Sequence, residues 1–285
     1  MRARLYLDSK YPGKIIKEYQ AEKKSQQSLA ELSFFREKII IEEKCQDWPY
    51  FLIQPEKVSE VKDYKFKTIL EYIEGENLYN YIKNNGLNII TCAYLLSSIE
   101  QDVMAAERFV IPDIANYGNV IISRQNGILT YKIIDSDNIV FDDYYCTIAS
   151  NMISGEIITK GEYAHGIKKC FNDNTNMYLY PNKQLDIRSM YALLYMMLNC
   201  YGSFYPMYSN GDKQNCIYFL NELNIPQGSE LYKKFLITLS EEEPNQWIGD
   251  SLYELIDDGY ELSESRLDDN RIYKLKKERK SIFYS

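Results

Sequence analysis

The chain has 285 residues, of which 45% are hydrophobic and 26% are charged, and its formal net charge at pH 7 is −8. These values are typical of a soluble globular protein that is long enough for two lobes. The negative charge argues against a nucleic-acid partner, and no apolar run approaches the roughly 18 residues of a membrane-spanning helix. The charged N-terminal residues lack the apolar segment of a signal peptide, so we expect a cytoplasmic protein.

The cysteines and the histidine argue against several kinds of site. Six cysteines are scattered along the chain without a CxxC pair, and His165 is the only histidine. A zinc site needs such ligands at short spacing, and a Ser-His-Asp or Cys-His mechanism needs a histidine placed as the base. Scattered thiols also fit a reducing cytoplasm.

Residues 1–73 are predicted to be rich in strands. The stretches "RLYL" and "KIIKEY" are short strands joined by the turn "KYPG", and "YFLIQPEKV" and "YKFKTILEYI" are further extended segments. Residues 25–44 carry apolar side chains at helical spacing, which predicts one amphipathic helix between these pairs of strands.

Helices predominate after Gly75. The stretch "NLYNYIKNN" predicts a helix that ends at Gly86, and "TCAYLLSSIEQDVMAAERF" predicts a longer one. "NVIISRQNGILTYKIID" predicts a β-hairpin, because Asn126-Gly127 suits the positive φ angles of a tight turn. "LDIRSMYALLYMMLNC" is apolar on nearly all sides and predicts a buried central helix. Further helices are expected at "CIYFLNEL", "ELYKKFLITL" and "QWIGDSLYELI".

The order of these elements predicts an α+β fold of two lobes. Residues 1–73 form a small strand-rich lobe with one helix, and residues 74–262 form a larger helical lobe that contains the hairpin. Residues 263–285 form a basic tail, "SESRLDDNRIYKLKKERKSIFYS", which we expect to be a solvated helix end.

Polar residues flank the predicted hairpin where its two ends meet. Asp113 and Asn119 lie in "VIPDIANYGNVII" before it, and Asp135 ends its second strand in "KIIDSD". Because the hairpin folds back on itself, these three side chains are expected to converge. Carboxylate and amide oxygens suit Mg²⁺, which takes few protein ligands together with substrate phosphates. Asp137 is either a further metal ligand or a turn cap.

Phosphoryl transfer also needs a cation on the phosphates. Lys17 ends the apolar run "KIIK", and Glu37 or Glu31 on the following helix is placed to reach back as its ion-pair partner. Glu37 in "REKIII" and Glu31 in "LAELSFF" fit the helix equally well.

These stretches, in this order, resemble the protein kinase superfamily. "KIIKEY" is similar to the strand that carries the phosphate-binding lysine, "LEYIEGENLYNYI" to the hinge and the helix after it, and "IPDIANYGNVII" to the catalytic loop. "KIIDSD" is similar to the metal-binding segment that usually reads DFG, and "LDIRSMYALLYMML" to the central helix, whose Asp186 would brace the catalytic loop. The resemblance covers nearly the whole chain.

The resemblance implies a cofactor and a role for each residue. ATP would bind with Mg²⁺, or with Mn²⁺ in its place. Lys17 would hold the α- and β-phosphates, Asp135 the metal ion and Asn119 a second one, while Asp113 would orient the acceptor hydroxyl. As the partner of Lys17 the resemblance favours Glu37, because "REKIII" then leads to "WPYFLI" as in the family, with Glu31 as the alternative. The contacts to the nucleotide would come from the hinge region: Leu70 in the gatekeeper place, Glu71, Tyr72, Ile73 and Asn77.

The sequence also departs from the family pattern. No glycine-rich loop precedes "KIIK", where residues 1–13 leave room for one strand and a turn. Ile111-Pro112 stands where the family has His-Arg, so no arginine is there to pair with a phosphorylated activation loop. Asn119 is one residue further from Asp113 than usual, and Ser136-Asp137 replaces Phe-Gly.

Three functions follow as hypotheses. The first is an ATP- and Mg²⁺-dependent kinase that phosphorylates Ser or Thr of a protein. The second is a pseudokinase that acts as a binding or scaffold module, which the missing glycine-rich loop favours. The third is a small-molecule phosphotransferase of the aminoglycoside or choline type, which the D-x-D of Asp135 and Asp137 favours.

Overall fold

The structure is a computed structural model, which describes part of the chain. The described residues are 2–20, 37–38, 41, 48–61, 65–111, 114, 117–134, 140–141, 190–191, 193–194, 197–198, 217, 220–239, 248–267 and 270–277. They form a mixed α+β protein with small antiparallel sheets, as the sequence predicts at that level. The described helices include none that is long and apolar enough to cross a membrane.

The chain divides into two compact units, each made of separate stretches. The first unit comprises Met1–Asn77, Arg108–Asp113 and Asn119–Pro181. The second comprises Leu78–Glu107, Ile114–Gly118 and Asn182–Ser285. The hairpin that follows the predicted catalytic loop therefore belongs to the same unit as the N-terminal strands, and the predicted lobe bounds, continuous in sequence, stay a prediction.

The N-terminal sheet of the first unit has the strand order β1-β2-β4-β3. These strands are β1 (Arg2–Leu7), β2 (Lys14–Gln20), β3 (Pro55–Val61) and β4 (Lys65–Glu71). Lys17 lies in the middle of β2 and not at its end. The strand predicted at "YFLIQPEKV" starts later than expected and runs on to Val61, because β3 begins at Pro55, which needs no ladder N–H at the first position of a strand. Residues 37, 38 and 41 are helical, in agreement with the predicted helix.

The first unit also contains the predicted hairpin. Strands β7 (Val120–Gln125) and β8 (Ile128–Ile133) pair antiparallel, while the short β5 (Glu76–Asn77) pairs with β7. Asn126 and Gly127 have φ angles of 52° and 82°, so the predicted tight turn is confirmed. Ile53 N–H donates to Ile133 O at 2.9 Å, and Ile133 N–H donates to Phe51 O at 2.7 Å. These bonds join the end of β8 to the chain just before β3.

The helices of the second unit begin with α1 (Leu78–Asn85) and α2 (Ile89–Ala105). Gly86 has a φ of 75° and its N–H donates to Ile82 O, which confirms the predicted helix end. The predicted central helix is helical at all six of its described residues, each at most 2% exposed: Met190, Tyr191, Leu193, Leu194, Met197 and Leu198. The helices α3 (Glu230–Leu239) and α4 (Ile248–Asp257) also stand where the sequence predicts them.

The prediction of a helical tail is wrong. The strands β10 (Tyr260–Leu267) and β11 (Asn270–Lys277) pair antiparallel. Tyr273 and Leu275 alternate with lysines along β11 and are buried, which is the two-residue period of a half-buried strand. Leu275 N–H also donates to Leu223 O at 2.9 Å, which ties the strand to the second unit.

Candidate functional site

Lys17 and Glu37 form an ion pair in the first unit. The distance between Lys17 Nζ and Glu37 Oε1 is 3.9 Å, and the two side chains are 12% and 1% exposed. Glu37 lies on the helix after β2, as the favoured alternative predicts, whereas Glu31 lies outside the described residues. A carboxylate at this depth is stable only beside a cation or hydrogen-bond donors.

Two hydroxyl groups donate to the same carboxylate. Thr68 Oγ1 hydrogen-bonds Glu37 Oε2, and Tyr19 Oη donates to Glu37 Oε1 at 3.3 Å. The strands explain the arrangement: Lys17 is directly opposite Thr68 in the β2–β4 pair, and Tyr19 follows Lys17 by two residues on the same face. Lys17 Nζ also lies 4.9 Å from the centroid of the Tyr19 ring, within cation–π range.

Sequence reasoning missed Thr68 and Tyr19. Tyr19 carried a signal, because alternate residues of a strand share a face and Tyr19 stands two positions from Lys17. Thr68 carried none, because its place opposite Lys17 depends on the register between β2 and β4, which the sequence does not specify.

Apolar side chains occupy the same sheet face beside Lys17. Leu7 pairs with Ile15, and Ile15 pairs with Leu70, so these three residues form one row across β1, β2 and β4. We call this row the apolar shelf. Leu70 is buried at one end, while Leu7 is 66% exposed at the other. An open apolar surface next to a cation is the composition of many ligand sites.

The other predicted nucleotide contacts follow β4. Glu71 forms an ion pair with Lys132, whose Nζ lies 3.2 Å from Glu71 Oε2. Tyr72 is exposed, but its backbone N–H donates to Gly13 O at 3.0 Å and is thus used within the protein. Ile73 is half-buried, and Asn77 lies in β5 opposite Ile121.

Asn119 lies beside the end of the hairpin. It ends a short 3₁₀ turn (Tyr117–Asn119), and its carbonyl accepts a hydrogen bond from Ile134 N–H at 2.7 Å. Asp113, Asp135 and Asp137 lie outside the described residues, as do Glu31 and Asp186. Among the residues that the structure describes, no group of three or more His, Cys, Asp or Glu is placed to hold a metal ion.

The strands around the two predicted site loops are paired at both ends. Segment 111–119 runs from β6 (Phe109–Val110) to β7, and segment 134–139 runs from β8 to β9 (Val140–Phe141). β7 pairs with β8, and β6 pairs with β9, both antiparallel. The start of the segment that contains Asp113 therefore lies beside the end of the segment that contains Asp135, and the end of the first lies beside the start of the second.

A second buried carboxylate lies in the second unit. Glu100 on α2 accepts hydrogen bonds from the N–H groups of Ile248 and Gly249 at 2.6 and 2.8 Å, at the start of α4. Burial raises the pKa of Glu100 to about 7, against the opposing effect of those two donors. Burial also lowers the pKa of Lys234, whose charge acts on Glu100. Glu100 caps a helix in the packing between α2 and α4.

Comparison with known proteins does not assign the chain to a family. No protein-family model matches the sequence, and no curated protein matches it significantly. A functional assignment therefore depends on the residues of the chain and on their arrangement.

Proposed function

We propose that the chain is an ATP- and Mg²⁺-dependent phosphotransferase of the protein-kinase type, with a Ser or Thr hydroxyl of a protein as acceptor. The observation that carries the proposal is the buried ion pair of Lys17 and Glu37. In protein kinases a strand lysine and a helix glutamate form such a pair, and the lysine binds the nucleotide phosphates. The sequence favours the same two residues for these roles.

The apolar shelf supports a nucleotide as the ligand. A nucleotide presents a flat, largely apolar base at one end and anionic phosphates at the other. Leu7, Ile15 and Leu70 offer apolar surface on the face that also carries the Lys17 ammonium. One ligand can therefore contact both, with Lys17 at its phosphates.

The strand pairing around the two loops supports a metal end of the site. We propose that Asp135 and Asn119 hold Mg²⁺ and that Asp113 accepts the proton of the acceptor hydroxyl. When bound, ATP would supply the transferred phosphoryl group, and its metal ion would offset the negative charge of the phosphates. The hydrogen bond between Ile134 and Asn119 supports this, since it fixes Asn119 next to the residue before Asp135.

A second function, a binding module without turnover, is favoured by the turn between β1 and β2. The N–H of Lys10 donates to Asp8 Oδ1, that of Tyr11 to Asp8 O, and that of Lys14 to Tyr11 O. Amides used inside the turn do not cradle phosphates as a glycine-rich loop does. Weak nucleotide binding with no turnover would fit a pseudokinase.

Thermal unfolding with and without ATP and Mg²⁺ tests the proposal. ATP at 100-fold above its Kd, with Mg²⁺, is expected to stabilise the protein by about 2.7 kcal/mol. Lys17→Ala and Asp135→Asn should each abolish the stabilisation, because one removes the phosphate cation and the other a metal ligand. Lys233→Ala is the matched control, since Lys233 is an exposed lysine of α3 paired with Glu230.

The outcomes separate the candidate functions. Stabilisation of wild type and Lys233→Ala alone, with phosphate transfer to a protein mixture, supports the protein kinase. Transfer only to small alcohols such as choline or an aminoglycoside indicates the small-molecule enzyme. Stabilisation with no transfer to either acceptor indicates the pseudokinase, and no stabilisation of wild type contradicts a nucleotide site.

A further inference from the structure

We propose that Thr68 and Tyr19 are positioning residues, which hold the Glu37 carboxylate in the place where it pairs with Lys17. The inference rests on the proposed function and assigns a role to two residues that the sequence did not single out. It concerns how the lysine of the site is kept in position.

The hydrogen bonds divide the Glu37 carboxylate between two hydroxyl groups. Thr68 Oγ1 donates to Oε2, and Tyr19 Oη donates to Oε1 at 3.3 Å. Thr68 is fully buried and sits on the central strand β4, so its hydroxyl has a fixed place in the sheet. With one donor on each oxygen, the carboxylate is fixed in rotation as well as in position.

Lys17 by contrast is held to Glu37 by charge. Its Nζ is 3.9 Å from Oε1, beyond the 2.7–3.2 Å range of N–H···O hydrogen bonds. The two hydroxyl groups therefore hydrogen-bond the carboxylate directly and orient it. If Lys17 shifts towards a phosphate, Glu37 keeps a donor on each oxygen and stays in place as the counter-charge.

Tyr19 acts on both members of the pair. Its hydroxyl reaches Glu37, and its ring centroid lies 4.9 Å from Lys17 Nζ. The ring limits where the ammonium can go, because a cation is attracted to the ring face. Tyr19 therefore restrains both the carboxylate and the ammonium group.

The test measures the Kd for ATP with Mg²⁺ by calorimetry on the whole chain. Thr68→Val is expected to weaken ATP binding about tenfold, because the Glu37 carboxylate then loses a hydrogen-bond donor. Thr68→Ser keeps the hydroxyl group and should bind ATP with the wild-type affinity. Tyr19→Phe keeps the ring and removes only the hydroxyl, so a smaller loss is expected. Thr130→Val is the matched control, because the Thr130 hydroxyl of β8 bonds Ser123 in the hairpin.

A double-mutant cycle distinguishes positioning from a general structural role. In the Glu37→Gln background, Thr68→Val is expected to cause no further loss of affinity, because the partner through which Thr68 acts has already lost its charge. A merely structural role would lower the unfolding midpoint while leaving the Kd of the folded protein unchanged. If Thr68→Val does not fold, Tyr19→Phe is measured in the same cycle.

Two results would overturn the inference in different ways. If Thr68→Val and Tyr19→Phe bind ATP as wild type does, or lose affinity equally with Glu37 and with Gln at position 37, the positioning role is wrong and the proposed function stands. If wild type itself binds no ATP, both the proposed function and the positioning role fall.

Discussion

Glu37 is held by contacts from two strands of the N-terminal sheet. Its Oε1 lies 3.9 Å from Lys17 Nζ. The hydroxyl groups of Tyr19 and Thr68 hydrogen-bond the same carboxylate, and they come from strands that are distant in sequence. The position of Glu37 therefore depends on tertiary contacts.

The buried Glu100 predicts a pH-dependent stability. Its pKa in the folded protein is about 7, above the 4.5 of an exposed glutamate, so the folded state binds the proton more tightly. Its contribution is present in full below pH 4.5 and is lost as the pH rises to about 7, because over this window the unfolded state releases the proton while the folded state keeps it. The free energy of unfolding should fall over this window by up to about 3 kcal/mol relative to Glu100→Gln.

Urea unfolding at pH values between 4.5 and 8 measures this difference. Asp250 and Lys234 also act on the Glu100 charge, so Asp250→Asn serves as a control for a nearby carboxylate. A wild-type curve that stays parallel to the Glu100→Gln curve, or rises above it with pH, would contradict the raised pKa.

At the scale of elements, a hairpin was predictable where its turn residues favour a tight turn. The hairpin β7–β8 was predictable because Asn126-Gly127 adopts positive φ at low cost and so fixes the register on its own. The hairpin β10–β11 was missed because "NRIYKLKKERK" is rich in lysine and carries no such turn dipeptide. Its strands are instead held by burial of Tyr273, which also accepts a hydrogen bond from Leu87 N–H at 3.1 Å.

The contact between α2 and α4 depends on a glycine. A Cβ added at Gly249 would lie 2.7 Å from Ser97 Cβ and 2.8 Å from Ser97 Cα, so one helix must move. Gly249→Ala is expected to destabilise the protein by about 1–3 kcal/mol through overpacking. Chemical denaturation compares it with Gly228→Ala, where an added Cβ meets nothing within 4 Å. If Gly249→Ala is as stable as Gly228→Ala, α2 and α4 can move apart without loss of stability.

At the scale of the whole molecule, a buried leucine of one unit and an exposed leucine of the other are expected to have separate effects on stability and on ligand binding. Leu275 is 4% exposed in the second unit, whereas Leu7 is exposed on the apolar shelf of the first. Leu275→Ala should cost about 2–4 kcal/mol of stability through the cavity it leaves, with the Kd for ATP unchanged. Leu7→Ala should leave the free energy of unfolding within about 0.5 kcal/mol of wild type and weaken ATP binding.

Denaturation and calorimetry on both variants check this prediction together. The two losses should appear in separate variants, one in stability and the other in affinity. A Leu7→Ala variant that binds ATP like wild type would remove the apolar shelf from the site, whereas the Lys17 prediction would be unaffected.

The sequence by itself determined the α+β class, most helices, the N-terminal strands and the first hairpin, because periodicity and turn residues act over a few neighbouring positions. It also singled out Lys17, with Glu37 favoured over Glu31 as its partner, since their order along the chain resembles that of a known family. Only the tertiary structure decided the register of β2 against β4, and with it the place of Thr68 opposite Lys17. That register depends on which side chains fill the face of the sheet, a condition set by residues far apart in sequence.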